Sequence, residues 1–262
     1  MTIKIKTPEQ IDGIRVAAQI AADCLVALND FIVPGITTQD IDDFAHAFIK
    51  DRDAHPTSLN YQGFPKSVCT SVNHVVCHGI PSEKRLKKGD IVNVDIGVTK
   101  DNFIGDTSKM YKVGKTGVLA NQLCMITYDC MQQAIATVGP GVDIREPGRA
   151  IEKHLKLSGL PYSIVRNYCG HGVGLQYHEE PQILHFAYPD SGIKFEKGMV
   201  FTIEPMINAG KHETKMLPDK WTVVTKDHKL SAQWEHTILV TEDGFEILSL
   251  REEELELWSG SP

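Results

Sequence analysis

Three short motifs occur twice in this chain, in the same order and at nearly equal offsets of roughly 100 to 110 residues. Pro34-Gly35-Ile36 returns as Pro140-Gly141-Val142, His78-x-x-Pro81 returns as His178-x-x-Pro181, and Lys88-Gly89-Asp-Ile-Val-Asn-Val-Asp95 returns as Lys197-Gly198-Met-Val-Phe-Thr-Ile-Glu204. Any one match is close to chance, because element ends select glycine and proline. Three in order imply a duplicated half, and they confine the fold to two similar units packed together. A site between such units draws on corresponding positions of both.

The local patterns agree. Thr7-Pro8-Glu9-Gln10 has the form of a helix start, with proline at the first helical position and Gln three residues after the Thr. Ile11, Ile14, Ala18, Ala21, Leu25 and Leu28 then form an apolar face. After Pro34-Gly35 a second helix is expected over residues 38–50, with Ile41, Phe44, Ala45 and Phe48 on one side. Strand patterns follow from about Lys66 to Met110. The second half repeats the order: a helix from about Ala120 to Val138, another through Ile151 and Leu155, then strands from about Ile164 to Leu250. No Ser/Gly-rich linker divides the 262 residues. The expectation is one domain over 1–262 with halves of about 1–115 and 116–262, an α+β arrangement in which helices cover an antiparallel sheet.

Several functions are disfavoured. A formal net charge of -7 argues against a protein whose work is to neutralise a phosphate backbone, so no specific nucleic acid is expected. The six cysteines contain no C-x-x-C pair, which disfavours a zinc knuckle and a disulfide framework. No signal peptide and no long apolar run is visible, so the expectation is a cytoplasmic protein with no membrane partner. The acidic stretch from Arg251 to Glu256 reads as a solvated terminal segment.

Against this ordinary background four acids stand in the wrong places. Asp95 interrupts the apolar strand Ile91 to Val98, Glu204 ends Met199-Val-Phe-Thr-Ile-Glu, and Glu235 lies in Gln233-Trp-Glu-His-Thr-Ile-Leu-Val. If Lys100-Asp101 forms the turn after the first of these strands, Asp106 lies directly across from Asp95, where like charges repel. Period-2 alternation places Glu204 with Thr202, and Glu235 with Gln233 and Thr237. One such acid would read as a solvent-facing position. Four of them, with the repeat superposing Asp95 on Glu204, read as one inward-facing cluster that needs shared protons or cations. Two divalent ions would balance four carboxylates, and an oxygen-rich set with an imidazole suits Co, Mn, Fe or Zn.

Most of the eleven histidines read as surface residues. His178-Glu179-Glu180-Pro181 lacks the second histidine of H-E-x-x-H, and its proline breaks the helix which that motif needs. His171 differs because Gly170 and Gly172 allow close backbone approach on both sides. No serine or cysteine has the local frame of a nucleophile, and Gly170, Gly172 and Gly174 make a poor phosphate loop.

With these residues in view the chain resembles the type I methionine aminopeptidases of the short bacterial form. The resemblance runs through Asn73-x-Val-Val-Cys-His-Gly-Ile-Pro, Gly105-Asp-Thr-Ser-Lys-Met, Tyr168-Cys-Gly-His-Gly-Val-Gly, Phe201-Thr-Ile-Glu-Pro-Met and Leu230-Ser-Ala-Gln-Trp-Glu-His-Thr, spread over nearly the whole sequence. It implies the pita-bread (creatinase/aminopeptidase) fold and removal of the initiator methionine from nascent polypeptides, preferably before a small second residue. It further implies a monomer that meets its substrate at the ribosome.

The resemblance also implies a dinuclear site of Asp95, Asp106, His171, Glu204 and Glu235, with Asp106 and Glu235 bridging. A metal-bridging hydroxide would be the nucleophile and Glu204 would handle its proton. His178 would bond the scissile carbonyl oxygen, and His78 would stand beside the peptide and the leaving nitrogen. Tyr61, Phe64, Cys69, Tyr177 and Trp221 would enclose the methionine side chain, and Asn73, Val75 and Ser231 would hold a monovalent cation. Phe64, Tyr177 and Ser58 depart from the residues common in the family, where Tyr, Phe and Cys are frequent. Rival readings are a prolidase or Xaa-Pro aminopeptidase on the same fold, which usually carries an extra N-terminal domain, and a non-enzymatic binding protein, which would be expected to have lost ligands.

Overall fold

The computed structural model describes residues 2–189 and 192–258. Helix α1 (Pro8–Ala27) begins at a capping box, with the Thr7 hydroxyl accepting from the Gln10 N–H and the Gln10 side chain accepting from the Thr7 N–H. Gly35, at φ +102°, turns the chain into α2 (Thr38–Lys50), which Thr37 and Asp40 cap in the same way. Strands β1 (His55–Pro56), β2 (Cys69–Val72) and β3 (Val75–Cys77) follow, and then the long hairpin β4 (Ile91–Lys100) and β5 (Phe103–Lys112).

The second half repeats the helix pair as α3 (Val118–Ile135) and α4 (Glu146–Leu157). Its α3 starts two residues before the expected Ala120 because Gly117 is the N-cap. Strands β6 (Ser163–Ile164), β7 (Gly170–Gly172), β8 (Glu179–Ile183), β9 (Val200–Ile203) and β10 (Met206–Asn208) come next. They are followed by β11 (Thr214–Met216), β12 (Val223–Thr225), β13 (Ser231–Gln233), β14 (His236–Val240), β15 (Phe245–Ile247) and the single-turn α5 (Leu255–Trp258). Among the described residues every strand pairing is antiparallel, in four pieces of sheet rather than one. Among the described residues no helix is long and apolar enough to cross a membrane.

The repeat is written into the main chain. Gly35 donates to Leu86 O and Leu86 to Ile36 O, and Gly141 donates to Phe195 O and Phe195 to Val142 O. Gly89 donates to Val113 O and Val113 to Asp90 O, and Gly198 donates to Val240 O and Val240 to Met199 O. Lone bridges Thr37–Arg85 and Asp143–Lys194 complete the correspondence. Each half has its own apolar cluster, one around Leu25, Ile41 and Val94 and the other around Leu123, Ile151 and Phe201. They are stitched at β5 and β13–β14, where Glu235 N–H donates to Ser108 O, Thr107 Oγ1 donates to Glu235 O, and Asn93 Nδ2 donates to Gln233 O.

Two expectations are corrected. The hairpin turns at Asp101-Asn102, both at positive φ (50° and 66°), so Asp95 faces Ser108 and Asp106 faces Gly97. A two-residue hairpin turn of this kind requires left-handed conformations at both centres, which Asp and Asn tolerate better than Lys. The slip of two residues keeps Asp95 and Asp106 on one face, as diagonal neighbours rather than opposed ones. The C-terminal stretch is not solvated throughout, since Arg251 and Glu254 are buried and Arg251 is fully enclosed.

Candidate metal centre

The four acids and the imidazole reach one place from both halves. Asp95 comes from β4, Asp106 from β5, His171 from β7, Glu204 from the end of β9, and Glu235 from the break between β13 and β14. All five line a cavity of about 480 Å³ together with His78, His178 and the aromatic residues Tyr61, Phe64, Tyr168, Tyr177 and Trp221. Single donor atoms of Asp106, His171 and Glu235 lie within 4.8 Å of one another. His171 Nε2 is 3.4 Å from Glu204 Oε1 and 3.8 Å from Asp106 Oδ2. Asp95 lies on the other side, a diagonal neighbour of Asp106 across β4 and β5 whose charge Asp106 feels. Asp106 is thus common to both flanks of the cluster.

The glycines beside His171 are forced by packing. A Cβ on Gly170 would stand 2.2 Å from Thr202 O, and one on Gly172 would stand 2.3 Å from Glu180 O. Only a bare backbone lets β7 pass between β9 and β8 and aim the imidazole at the acids. The ring is oriented by its Nδ1 against Gly172 O at 3.1 Å. A carbonyl can only accept, so Nδ1 carries the proton and Nε2 turns its lone pair to the carboxylates. Gly97 serves the same economy of space, because Tyr177 Oη lies 2.6 Å from where its Cβ would be.

Burial pushes the carboxyls of Asp95, Asp106, Glu204 and Glu235 upward, and the repulsion of their neighbours adds to it for Asp106, Glu204 and Glu235. Burial also pulls His171 down to about 3 and His78 down to about 4, and it lowers His178, so these rings are neutral near pH 7. Asp106 Oδ1 and Glu235 Oε1 are buried without a hydrogen-bond partner. Acids without a lysine or arginine ion pair among the described residues, orphaned oxygens and an imidazole lone pair facing them fit a divalent cation.

Supporting groups hold the cluster in place. Thr202 Oγ1 donates to Glu204 Oε1 (2.9 Å) and accepts from the His171 N–H (3.0 Å). Gln233 Nε2 donates to Glu204 Oε2 (3.1 Å), and the Thr237 hydroxyl clasps the main chain of Asp106 from both sides. The residues that alternate with the acids along their strands therefore face the same cluster. His185, fully buried, accepts from the Glu204 N–H at 3.2 Å. Sequence reasoning passed it over because Leu184-His185-Phe186 resembles an ordinary buried strand end, with no motif attached.

Tyr61, Phe64, Cys69, Tyr177 and Trp221 all line the cavity. Cys69 pairs with Asp95 across β2 and β4, Phe64 stands edge-on to Trp221 (5.2 Å, 78°), and Asp219 anchors the turn that presents Trp221. Tyr177 packs against Tyr61 (5.0 Å, 72°) and its hydroxyl meets Ser58 Oγ at 2.9 Å. His78, at φ +55°, is packed edge-on to Tyr168 and Trp221. His178 lies with its ring centroid 4.3 Å from that of His171. Asn73 and Ser231 are joined by a main-chain bond, while their side chains are committed to Asp90, Ile91 and Asn208.

Residues 12–242 match the model of metallopeptidase family M24. The methionine aminopeptidase of Escherichia coli (strain K12) is 49% identical over 256 residues, covering 97% of this chain and 96% of that protein. The chain belongs to metallopeptidase family M24 and, within it, to the methionine aminopeptidases. The one from Rickettsia prowazekii is 47% identical, and its crystal structure superposes with a TM-score of 0.92, covering 95% of this chain and 100% of that one. Prolidase from Pyrococcus furiosus shares the fold at a TM-score of 0.74 and 25% identity, but the alignment covers only 66% of the prolidase chain. The pita-bread architecture is thus common to both branches of the family, and the identity lies with the aminopeptidases.

Proposed function

We propose that the chain is a single catalytic unit that hydrolyses the first peptide bond of proteins beginning with methionine, with a preference for a small second residue. The observation that supports this best is the convergence of Asp95, Asp106, His171, Glu204 and Glu235, from both halves, on the floor of an aromatic-walled cavity. Asp95, Asp106, His171, Glu204 and Glu235 would together hold two divalent ions there. When bound, they supply a Lewis acid for the carbonyl and draw the pKa of a water toward neutrality.

The chain's own residues do the rest. Glu204, whose carboxyl burial shifts upward, would take a proton from the attacking water and return it to the departing amine. His178 donates to the scissile carbonyl oxygen and strengthens that bond as negative charge develops. His78 stands beside the leaving nitrogen. Tyr61, Phe64, Cys69, Tyr177 and Trp221 take the methionine side chain out of water, where the thioether gains from contact with ring edges.

The test is to strip metal with a chelator, add back Mn, Fe, Co or Zn singly, and follow methionine release from Met-Ala-Ser and Met-Pro peptides. Release should vanish on stripping and return with metal, fastest from the peptide with the small second residue. Silence with every metal defeats the reading, and cleavage confined to Xaa-Pro bonds would assign the prolidase reaction instead.

A further inference from the structure

The turn from Ser58 to Phe64 is wound more tightly than its residue types favour. Asn60 and Gln62 are both at positive φ (66° and 47°), and Asn60 and Phe64 close the loop with a 2.8 Å main-chain bond. Tyr61 N–H donates to Ser58 O and Phe64 N–H to Tyr61 O, so the backbone on both sides of Tyr61 is fixed. The turn uses this rigidity on two successive residues of the opposite wall. Ser58 Oγ meets Tyr177 Oη at 2.9 Å, and Tyr61 Oη meets His178 Nδ1 at 2.8 Å.

The second of these bonds reaches the chemistry. A neutral imidazole carries one N–H, and the bond made by one nitrogen decides what the other can do. If Nδ1 donates to the tyrosine oxygen, Nε2 is a bare acceptor and repels a carbonyl oxygen. If the tyrosine O–H donates to Nδ1, Nε2 carries the proton and can donate. We propose that Tyr61 is the positioning residue for His178: its hydroxyl donates to Nδ1 and fixes the Nε2–H tautomer that serves the scissile carbonyl oxygen. This rests on the reading of His178 given above and adds a task to a residue otherwise understood only as pocket wall. The ring of Tyr61 supplies apolar surface against Tyr177, and its hydroxyl supplies the orientation of the next residue.

Tyr61→Phe separates the two tasks, because it keeps the ring and removes one oxygen. With metal content confirmed as unchanged, kcat should fall by at least about tenfold, with a ceiling near a thousandfold set by loss of an oxyanion donor altogether. KM should stay within about twofold, since the interaction is made chiefly in the transition state. Unchanged kcat, or a loss carried by KM alone, overturns the assignment. A second measurement needs no variant: two-bond 1H–15N correlation spectra of the zinc-loaded protein report which nitrogen of His178 bears the proton. The Nε2–H form is expected, and an Nδ1–H form overturns the proposal. His178→Ala separates the levels of inference. If it is crippled while Tyr61→Phe is not, only the role of Tyr61 falls; if it is fully active, the reading of His178 falls and the proposal with it.

Discussion

Two buried polar clusters lie back to back on the same strands, and they are built on opposite terms. On the cavity side, Asp95, Asp106, Glu204 and Glu235 face one another with no lysine or arginine ion-paired to them among the described residues, and Asp106 Oδ1 and Glu235 Oε1 have no hydrogen-bond partner. On the other side, Arg251 donates through Nη2 to Glu254 Oε1 (2.8 Å) and meets His236 Nε2 (2.9 Å). Its Nη1 reaches Thr107 Oγ1 and Ser108 O, and His236 Nδ1 meets Ser249 Oγ at 2.9 Å. Asp106 belongs to the first cluster and Thr107 to the second, as do Glu235 and His236, because successive residues of a strand point to opposite faces. Apart from Arg251 Nε, the rear cluster satisfies and neutralises itself. A closed cluster of this kind is architecture, whereas one left open in charge and in hydrogen bonds marks where something from outside belongs.

The largest effect should come from breaking each cluster in turn. Arg251→Ala leaves Glu254 buried with only His236 and a main-chain N–H beside it, and urea denaturation should show a loss of about 3 to 5 kcal/mol. The molecules that remain folded should hold as much metal as the parent. Asp106→Asn should behave in the opposite way: metal and activity are lost, yet the metal-free variant unfolds at the same or higher urea concentration than the metal-free parent. The reason is that a carboxyl that burial and repulsion make costly to ionise has gone. If both substitutions destabilise alike, the distinction between closed and open clusters is wrong.

How far this contrast could be read in the sequence depends on which side is asked about. The open side is legible because acids in apolar strands are conspicuous, and because the repeat sets Asp95 against Glu204. The helix pairs were legible from their apolar periodicity, and the first cap for a local reason, since Thr7 meets its partner three residues away. The hairpin register was not fixed by pattern alone. Lys100-Asp101 and Asp101-Asn102 both resemble turns, and a shift of two in the facing residues preserves the inward face, so hydrophobic alternation cannot choose between them. The closed side was hidden entirely. Arg251 lies in an acidic stretch that looks solvated, and only the tertiary fold shows its charge passing between β5 and β14 to meet His236.

A finer probe of the open side leaves its charges untouched. Thr202 is fully buried, and its hydroxyl both steadies Glu204 and holds the main chain of His171. Thr202→Val keeps the shape and removes both bonds. Metal affinity, measured by competition with a chromophoric chelator, should weaken by about 10- to 100-fold, the usual cost of losing a partner behind a ligand. Urea stability of the metal-free protein should fall much less than in Arg251→Ala. Unchanged affinity would mean that Glu204 and His171 are held by packing alone.

The smallest effect is the most diagnostic, because the two clusters should respond to pH with opposite sign. Burial first, and for most of them mutual repulsion second, raises the cavity carboxyls above their unfolded values of about 4. Groups raised in this way stabilise the metal-free fold fully below about pH 4, and that contribution is lost as pH rises through their displaced values. For Glu254 burial alone would also raise the carboxyl, but attraction and hydrogen bonds from His236 and Arg251 outweigh it and hold the carboxyl below its usual value. Its contribution is present above about pH 4.3 and is lost only as pH falls further, so it is constant between pH 5 and 8. Below about pH 6.5 the histidines that burial keeps neutral, His78, His171, His178, His185 and His236, favour a midpoint that rises with pH and offset the acids. Urea midpoints of the metal-free protein should therefore decline from about pH 7 to pH 8, where only the acids still act, with each pH unit of displacement at one group equivalent to about 1.4 kcal/mol. The decline should shrink in Asp106→Asn. Metal should abolish or reverse it, since a bound cation requires the deprotonated acids and competes with protons for them. A metal-free midpoint that is flat or rising over this range would show that the four acids already find their balance within the chain, and the case for an external cation would lose its electrostatic half.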